Sequence, residues 1–211
     1  MSNLPITKTD IVKDYLEEKK FQGKFRNYAE LEKIPIISNT VGQFLSFFCA
    51  LKKPASILEI GCGIGYSSYF LLKNSPKANY IGIDLNKERA KIAKQKLKQL
   101  FPAKRIKILI GDAIKKVKEL DCQADLVFID GAKHEYPDYL KSLLGKVRRH
   151  GYIIADNVLY KNKVLSKKIN AHDTNSVEGI REYIMLVSNK NNFKTYFFGI
   201  DDGISVSEVL I

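Results

Sequence analysis

The sequence predicts an α/β fold: a Rossmann-like, doubly wound, mostly parallel sheet of seven strands that finishes in an antiparallel hairpin. Past residue 55, short apolar runs alternate with longer amphipathic segments, which is typical of β-α units stacked into a sheet covered on both faces. Near the end of the chain, two β-rich runs, NFKTYFFGI and ISVSEVLI, are separated only by DDG, a hairpin turn signal. The 211 residues suit one domain with a substantial buried core.

The first 50 residues depart from this alternation. DIVKDYLEEKK and TVGQFLSFFCAL are both amphipathic, and the extended run IPIIS lies between them. We expect residues 1–50 to form an N-terminal helical cap over one edge of the sheet or over a ligand pocket. The whole chain, residues 1–211, is then a single domain.

The β-α units follow in order along the chain. The predicted strands are SILEI, NYIGID, RIKILIG and ADLVFID, and a fifth strand ends at Asp156. The segment 86–101 illustrates the helices, because its apolar residues recur every three or four positions while its lysines lie elsewhere, on a solvated face. Asn86 stands where an N-cap is expected, and Pro102 ends the helix.

The composition indicates where the protein is located and what its cysteines do. No apolar run approaches the roughly 20 residues needed to cross a bilayer, and charges occupy the place where a secretory signal needs its apolar segment. We therefore expect a cytoplasmic protein with no membrane partner. The three cysteines lack CxxC spacing, which argues against a disulfide framework or a zinc site and favours buried small side chains.

The charge balance is strongly basic. Thirty-five Lys and Arg against 23 acidic residues give a formal charge of +12 and a pI near 9.4. Such a surface attracts polyanions, which makes a nucleic-acid partner one interpretation. The other interpretation is a general enrichment of lysine that reflects no particular partner, since the positive charge is spread along the chain.

The stretch ILEIGCGIGYSS, residues 57–68, carries three glycines directly after a strand. Gly61, Gly63 and Gly65 allow a ligand to approach the main chain and so indicate a nucleotide-type ligand. The spacing GxGxG lacks the last glycine of the dinucleotide fingerprint, and no Gly-Lys-Ser/Thr of a P-loop follows. Glu59, two residues before the first glycine, suits a cationic or amine-bearing ligand better than a pyrophosphate.

The ends of the second and third strands extend this pattern. Asp84 ends the run IGID, where its carboxylate can accept hydrogen bonds from ribose hydroxyls. Asp112 and Ala113 follow the third strand, where the adenine of the same ligand would lie. The alternative for both aspartates is a structural role at the start of the next helix.

A second polar group follows the fourth and fifth strands. Asp130, Asp156 and Asn157 should meet at one sheet edge, where three hard oxygen ligands with space for water suit magnesium or another octahedral divalent cation. The alternative is that Asp156 and Asn157 simply form a turn.

Seven blocks in order, YAELEKIPII, ILEIGCGIGYSS, IGIDLN, GDA, FIDGAKHEY, ADNVL and IDDGISVS, resemble the cation-dependent O-methyltransferases that use S-adenosylmethionine. This group contains the catechol and caffeoyl-coenzyme A enzymes and their bacterial relatives, and the resemblance covers residues 28–211. It implies a Mg²⁺-type cation on the three residues above and a lysine base at Lys133. It also implies a cofactor site formed by Val41, Glu59, Gly61, Cys62, Gly63, Ser67, Asp84, Asp112, Ala113 and Asp130.

The resemblance also implies a mechanism. An ammonium beside a divalent cation and a sulfonium has its protonated form disfavoured, so Lys133 can take the proton of an acceptor hydroxyl whose pKa a cation has lowered. The oxyanion then attacks the methyl group in line, and adenosylhomocysteine leaves. His134 either assists this proton transfer or is an exposed residue at a helix start.

The acceptor stays open at the level of sequence. Bacterial members of the group include the tRNA 5-hydroxyuridine methyltransferase, and the expected pocket rim carries basic residues that could hold anticodon phosphates: Lys24, Arg26, Lys161, Lys163, Lys167 and Lys168. Asn162 stands in this rim where the group commonly has glycine. The alternatives are a small catechol-like phenol as acceptor, a non-catalytic nucleic-acid-binding or protein-binding domain, and a NAD-dependent enzyme. Because the group is commonly dimeric, we also expect a homodimer.

Overall fold

A computed structural model describes Gly23 and residues 25–211, and the chain divides after Ile36 into two compact units. In the first unit, helix α1 includes residues 25–31, and Ile34 N–H donates a 2.8 Å hydrogen bond to the carbonyl of Ala29. The segment DIVKDYLEEKK and Lys24 lie outside the described residues. A single domain with a cap over residues 1–50 stays a prediction, although residues 37–50 belong to the second unit.

The second unit contains one seven-stranded sheet with the strand order β3-β2-β1-β4-β5-β7-β6. Strands β3, β2, β1, β4 and β5 are parallel, and β7 lies antiparallel between β5 and β6. The strands are β1 (Ser56–Ile60), β2 (Asn79–Asp84), β3 (Ile106–Ile110), β4 (Ala124–Ile129), β5 (Val147–Asp156), β6 (Phe193–Phe198) and β7 (Ile204–Val209). The predicted fold class, including the terminal hairpin, is confirmed.

In this unit, one helix precedes β1, and the others connect successive strands up to β6. They are α2 (Asn39–Lys52), α3 (Tyr66–Lys73), α4 (Lys87–Leu100), α5 (Ala113–Glu119), α6 (Tyr136–Leu143) and α7 (Ala171–Val187), with short 3₁₀ turns at Ala103–Arg105, Lys133–Glu135 and Lys163–Leu165. Helix α2 packs on α3, and α6 packs between α5 and α7. The predicted cap of α4 is confirmed, because the Asn86 side chain accepts hydrogen bonds from two backbone N–H groups of its first turn, each 3.0 Å long.

The core surrounds the central strands. Four consecutive residues at the carboxyl end of β4, Leu126 to Ile129, are at most 1% exposed. On one face of the sheet, Tyr136 and Tyr183 are fully buried, and their ring centroids lie 5.5 Å apart in an edge-to-face arrangement. Burying each such side chain contributes about 1.5–3 kcal/mol to folding. The strand ends that carry the polar residues therefore extend from a well-packed core.

The cysteines only partly match the expectation of buried side chains. Cys49 and Cys62 are buried, and burial raises the pKa of Cys49 to about 12. The expectation is wrong for Cys122, which is exposed because it lies in the polar connection before β4. Among the helices described here, none is long and apolar enough to span a bilayer.

Candidate active site

The glycine loop follows β1 and lies against the end of β4. Gly61 has φ +85°, and a Cβ atom at this position would lie 2.2 Å from the carbonyl oxygen of Asp130. Its N–H donates a 2.8 Å hydrogen bond to the carbonyl of Ile83, the next-to-last residue of β2. Only glycine can occupy this position, and the ends of β1, β2 and β4 are thereby held together.

Asp84 joins the glycine loop to the start of α4. One carboxylate oxygen accepts a 2.7 Å hydrogen bond from Gly63 N–H, and the other accepts one of 2.8 Å from Asn86 N–H. The helix cap itself is Asn86, so Asp84 is not merely a helix-start carboxylate. It is partly exposed beside the loop, the place predicted for a residue that binds ribose hydroxyls.

Glu59 lies behind the loop and is fully buried. Its carboxylate accepts hydrogen bonds from three hydroxyls, those of Ser67, Ser68 and Tyr80, the Ser68 bond measuring 2.6 Å. Burial raises its pKa, and the hydroxyl donors oppose this shift. Both oxygens are already engaged, which gives Glu59 a supporting position that fixes the Ser67 hydroxyl.

The other predicted cofactor residues lie in different environments. Val41, in the first turn of α2, and Cys62, in the glycine loop, are each 1% exposed. Ala113 is partly buried at the start of α5. Asp112 is exposed and caps this helix, since its side chain accepts a 3.1 Å hydrogen bond from Lys115 N–H. Asp112 therefore has the capping role that the sequence left open. A contact of Asp112 with adenine stays a prediction.

The second cluster is organised around Lys133. Its Nζ lies 2.9 Å from a carboxylate oxygen of Asp130 and 2.7 Å from the hydroxyl of Tyr136, and only 14% of the side chain is exposed. The Tyr136 hydroxyl in turn donates a 2.9 Å hydrogen bond to the backbone carbonyl of Asp156. One buried tyrosine thus connects the predicted base to both predicted metal-binding strand ends.

Sequence reasoning missed Tyr136. It follows Lys133 by three residues in FIDGAKHEY, but its apolar ring and helical context indicated only a core position. The available signal was this spacing, because residues three apart lie on the same face of a helical turn.

Asp156 is 2% exposed, and its pKa is raised to about 7. Burial is the largest cause, and the charge of Asp130 adds to it, while Lys133 and the N–H of Asn157 oppose it. Asn157 N–H donates a 2.8 Å hydrogen bond to Asp156 and has φ +58°, so these two residues also form a tight turn. A cation near both carboxylates, or a proton on one of them, would relieve this repulsion.

This donor set fits a hard divalent cation. It consists of the carboxylates of Asp130 and Asp156 and the amide of Asn157, all oxygen donors. Within residue 23 and residues 25–211, no group of three or more His, Cys, Asp or Glu side chains is arranged to hold a metal ion. A cation here would therefore depend on two carboxylates, one amide and water, which is typical of magnesium sites.

The hairpin turn between β6 and β7 also reaches this cluster, although the sequence indicated only a structural role for it. The charge of Asp202 contributes to the raised pKa of Asp156. Its side chain accepts a 2.5 Å hydrogen bond from Lys161 N–H, and its carbonyl accepts one of 2.9 Å from Leu159 N–H. The turn thereby holds the loop that follows β5.

That loop has an unusual backbone. Tyr160, Lys161 and Asn162 all have positive φ, at 45°, 55° and 61°. Asparagine tolerates this left-handed conformation better than most residues, which explains how Asn162 can replace glycine here.

The basic residues of the loop are not equivalent. Lys163 Nζ lies 2.6 Å from the carboxylate of Asp173, whose side chain is only 8% exposed, so it is a structural ion pair and not a free rim cation. Lys161, Lys167 and Lys168 are exposed. Arg26 belongs to the first compact unit and not to the unit that contains this loop.

A family model described as O-methyltransferase matches residues 13–209. The chain belongs to the O-methyltransferase family. A catechol O-methyltransferase of Niastella koreensis is 29% identical over 152 residues, which cover 70% of this chain and 67% of that protein. One of Mycobacterium tuberculosis is 28% identical, covering 68% and 66%. A putative caffeoyl-CoA O-methyltransferase of Arabidopsis thaliana is 28% identical over 195 residues, covering 89% and 77%.

Solved structures of O-methyltransferases share the fold. A putative caffeoyl-CoA O-methyltransferase from Staphylococcus aureus superposes with a TM-score of 0.81 at 25% identity, covering 95% of this chain and all of that one. An O-methyltransferase from Bacillus cereus, solved in complex with SAH, gives a TM-score of 0.80 at 24% identity, covering 89% and 90%.

Membership in the O-methyltransferase family confirms the predicted enzyme class, an S-adenosylmethionine-dependent O-methyltransferase. It argues against the two alternatives, a non-catalytic binding domain and a NAD-dependent enzyme. The roles of individual residues in this O-methyltransferase stay predictions. So do the metal, the acceptor, the homodimer and the cytoplasmic location.

Proposed function

We propose that this O-methyltransferase requires a divalent cation, Mg²⁺ in the first place, and methylates the 5-hydroxyl of 5-hydroxyuridine in tRNA. The observation that carries the metal-dependent part is the cluster of Asp130, Lys133, Tyr136 and Asp156, which lies against the glycine loop through the contact of Gly61 with the Asp130 main chain. This contact supports a cofactor half and an acceptor half that adjoin at one end of the sheet.

The cofactor half is formed by the loop and its supports. S-adenosylmethionine supplies an activated methyl group on a sulfonium when it is bound. In our proposal Asp84 accepts hydrogen bonds from the ribose hydroxyls, and Ser67, oriented by Glu59, contacts the methionine part. The left-handed glycines keep side chains away from the path of the ligand.

The acceptor half is formed by the second cluster. Asp130, Asp156 and Asn157 would hold the cation, which would lower the pKa of an acceptor hydroxyl. Lys133 would accept the hydroxyl proton on Nζ. Asp130 and Tyr136 fix the position of this nitrogen, and placement is a large part of catalysis in such a site.

The charge of the protein supports an RNA acceptor. The formal charge is +12, and Lys161, Lys167 and Lys168 are exposed in the segment that follows Asn157. Phosphate contacts from such lysines supply sequence-independent affinity for RNA. In 5-hydroxyuridine, the hydroxyl stands next to a carbonyl oxygen, so the acceptor offers two adjacent oxygens to a cation.

A small catechol-like phenol is the second candidate. It presents the same pair of adjacent oxygens, and the relatives from Niastella koreensis and Mycobacterium tuberculosis are named catechol O-methyltransferases. The two candidates differ in their need for cationic side chains outside the cluster.

The test compares both acceptors under the same conditions. The enzyme is incubated with S-adenosylmethionine, Mg²⁺ and either tRNA that carries unmethylated 5-hydroxyuridine or catechol, and products are identified by mass spectrometry of nucleosides and phenols. We expect methylated tRNA, lost with EDTA and restored by Mg²⁺. Turnover of catechol alone would overturn the tRNA assignment, and full activity in EDTA would overturn the metal requirement.

A pair of variants sharpens the comparison. Lys167→Gln/Lys168→Gln should raise KM for tRNA and leave catechol turnover unchanged. Lys94→Gln/Lys98→Gln, which removes the same charge from the exposed face of α4, is the matched control. Equal effects of the two pairs would show that the loop following β5 has no part in binding tRNA.

A further inference from the structure

A cleft of about 470 Å³ opens at the amino ends of the strands, whereas the candidate active site lies at their carboxyl ends. Its walls come from the carboxyl end of α2, from the connection between α2 and β1, and from the first halves of β4 and β5. Strand β4 has six residues, so the two edges are separated by roughly 20 Å. None of the residues assigned to methyl transfer lines this cleft.

One wall of the cleft is a bulge in β5. Ala124 of β4 pairs with Val147, but Leu126, two residues later, pairs with Tyr152. Residues 148–151, with the sequence RRHG, therefore leave the ladder, and His150 adopts φ +65°. A bulge re-aims side chains that a regular strand would direct to the two faces of the sheet. Here it exposes three consecutive basic residues at the rim.

The lining is strongly basic. It contains Lys52, Lys53, Arg148, Arg149 and His150 against a single acidic residue, Asp125. Asp125 is fully engaged, because it pairs with Arg148 at 2.7 Å and accepts 2.9 Å hydrogen bonds from the backbone N–H groups of both Ala55 and Ser56.

Among the described residues, two of these cations have no polar partner. Lys52 donates to the Tyr152 hydroxyl at 2.6 Å, and His150 lies 2.8 Å from Glu208. In the described part of the chain, the side chains of Lys53 and Arg149 have neither a hydrogen bond nor an ion pair, and both are exposed. Their charges are available to an anion.

The cleft also has an aromatic side. The rings of Phe48 and Tyr152 meet edge to face with centroids 5.2 Å apart, and Lys52 Nζ lies 4.4 Å from the centre of the Tyr152 ring. Cationic and aromatic side chains in one groove are the combination with which proteins bind the phosphates and bases of nucleic acids.

We propose that this cleft binds phosphate esters, with Lys53 and Arg149 in contact with the phosphate groups. Two sources share this chemistry: the phosphodiester backbone of single-stranded RNA and a free nucleotide. The site goes beyond the proposed methyl transfer and does not depend on it, because its residues lie at the other edge of the sheet.

The experiment measures binding directly. A fluorescein-labelled 12-nucleotide RNA is titrated by fluorescence anisotropy from 50 to 200 mM salt, and adenosine monophosphate is titrated by calorimetry. The variant Lys53→Gln/Arg149→Gln keeps long side chains and removes both free charges. Lys94→Gln/Lys98→Gln removes the same charge elsewhere and serves as the control.

For an RNA source, we expect the cleft variant to bind RNA about tenfold more weakly and to lower the slope of log affinity against log salt by about 1.4, or 0.7 per lost contact. For a nucleotide source, only adenosine monophosphate binding falls. Unchanged affinity for both probes, or losses equal to those of the control, would overturn the proposal. Methylation is not the readout, so a failure of the proposed function leaves this result interpretable.

Discussion

Replacing Tyr136 by phenylalanine tests whether this buried tyrosine positions the base. The change removes one hydroxyl and keeps the ring, whose centroid lies 4.9 Å from Lys133 Nζ. Two short hydrogen bonds are lost, the 2.7 Å bond from Lys133 and the 2.9 Å bond to the carbonyl of Asp156, together with a weaker 3.3 Å contact of the hydroxyl with the carbonyl of Ile129. Lys133 then retains Asp130 as its polar partner.

The expected magnitudes follow from these two bonds. A hydrogen bond to a charged group contributes about 1.5–3 kcal/mol and one between neutral groups about 0.5–1.5 kcal/mol, so the free energy of unfolding should fall by about 2–4.5 kcal/mol. If the loss of the Lys133 contact is felt in the transition state, kcat falls by roughly 10–150-fold. KM for S-adenosylmethionine should stay unchanged, because the hydroxyl bonds to Lys133 and to the carbonyls of Ile129 and Asp156, none of which belongs to the glycine loop.

The assay combines steady-state kinetics with urea denaturation. Tyr139→Phe is the matched control, since it removes a nearby hydroxyl that donates to Glu135 and does not contact Lys133. We expect its kcat to stay within about threefold of the wild type. A folded Tyr136→Phe enzyme with wild-type kcat would refute the reasoning.

A double-mutant cycle adds a second criterion. Lys133→Ala should lose most turnover and retain cofactor affinity, and adding Tyr136→Phe to it should cause little further loss. Fully additive losses would show that Tyr136 acts on catalysis independently of Lys133.

Three further predictions concern the cofactor loop and the fold. Gly61→Ala should prevent stable folding, because its Cβ would lie 2.2 Å from a main-chain oxygen. Gly63→Ala places its Cβ in open space, so it should lower the free energy of unfolding by only about 1–2 kcal/mol. Equal urea midpoints for the two variants would contradict the close approach at Gly61. Asp84→Asn should weaken S-adenosylhomocysteine binding by roughly 10–100-fold in calorimetry, the loss of a charged hydrogen bond, and unchanged affinity would remove Asp84 from the cofactor site. Burial opposes ionisation of Asp125, but its hydrogen bonds prevail and lower its pKa, so it stabilises the fold above about pH 4 and this stabilisation is lost as the pH falls further. Asp125→Asn should therefore lose less stability than the wild type between pH 7 and pH 3, and parallel losses in urea unfolding would contradict this.

The local structure could be predicted closely from the chain. SILEI and NYIGID coincide with β1 and β2, and the helix expected over 86–101 begins and ends within one residue of α4. These elements depend on apolar periodicity, on Asn86 as a cap and on Pro102 as a stop, all of which are local properties. The spacing of the glycines likewise indicated a ligand loop before any contact was known.

Tyr136 connects Lys133 to the main chain of Asp156 at the strand ends, and this connection is a tertiary property. Tyr136 reads as a core residue until the fold places its hydroxyl between Lys133 and the main chain of Asp156. Lys163 reads as a free rim cation until the fold places it beside Asp173. Hydrogen bonds and ion pairs between distant segments have no signature in residue spacing.

By itself, then, the sequence determined the order of strands and helices, the hairpin and the kinds of residue at each strand end, because periodicity, capping and turn chemistry act over a few neighbouring residues. Only the tertiary structure decided that Glu59 lies behind the loop, that the charge of Asp202 acts on Asp156, and that a bulge in β5 forms one wall of a basic cleft at the amino ends of the strands. Each of these depends on where separate strands meet, which is decided by packing and strand register.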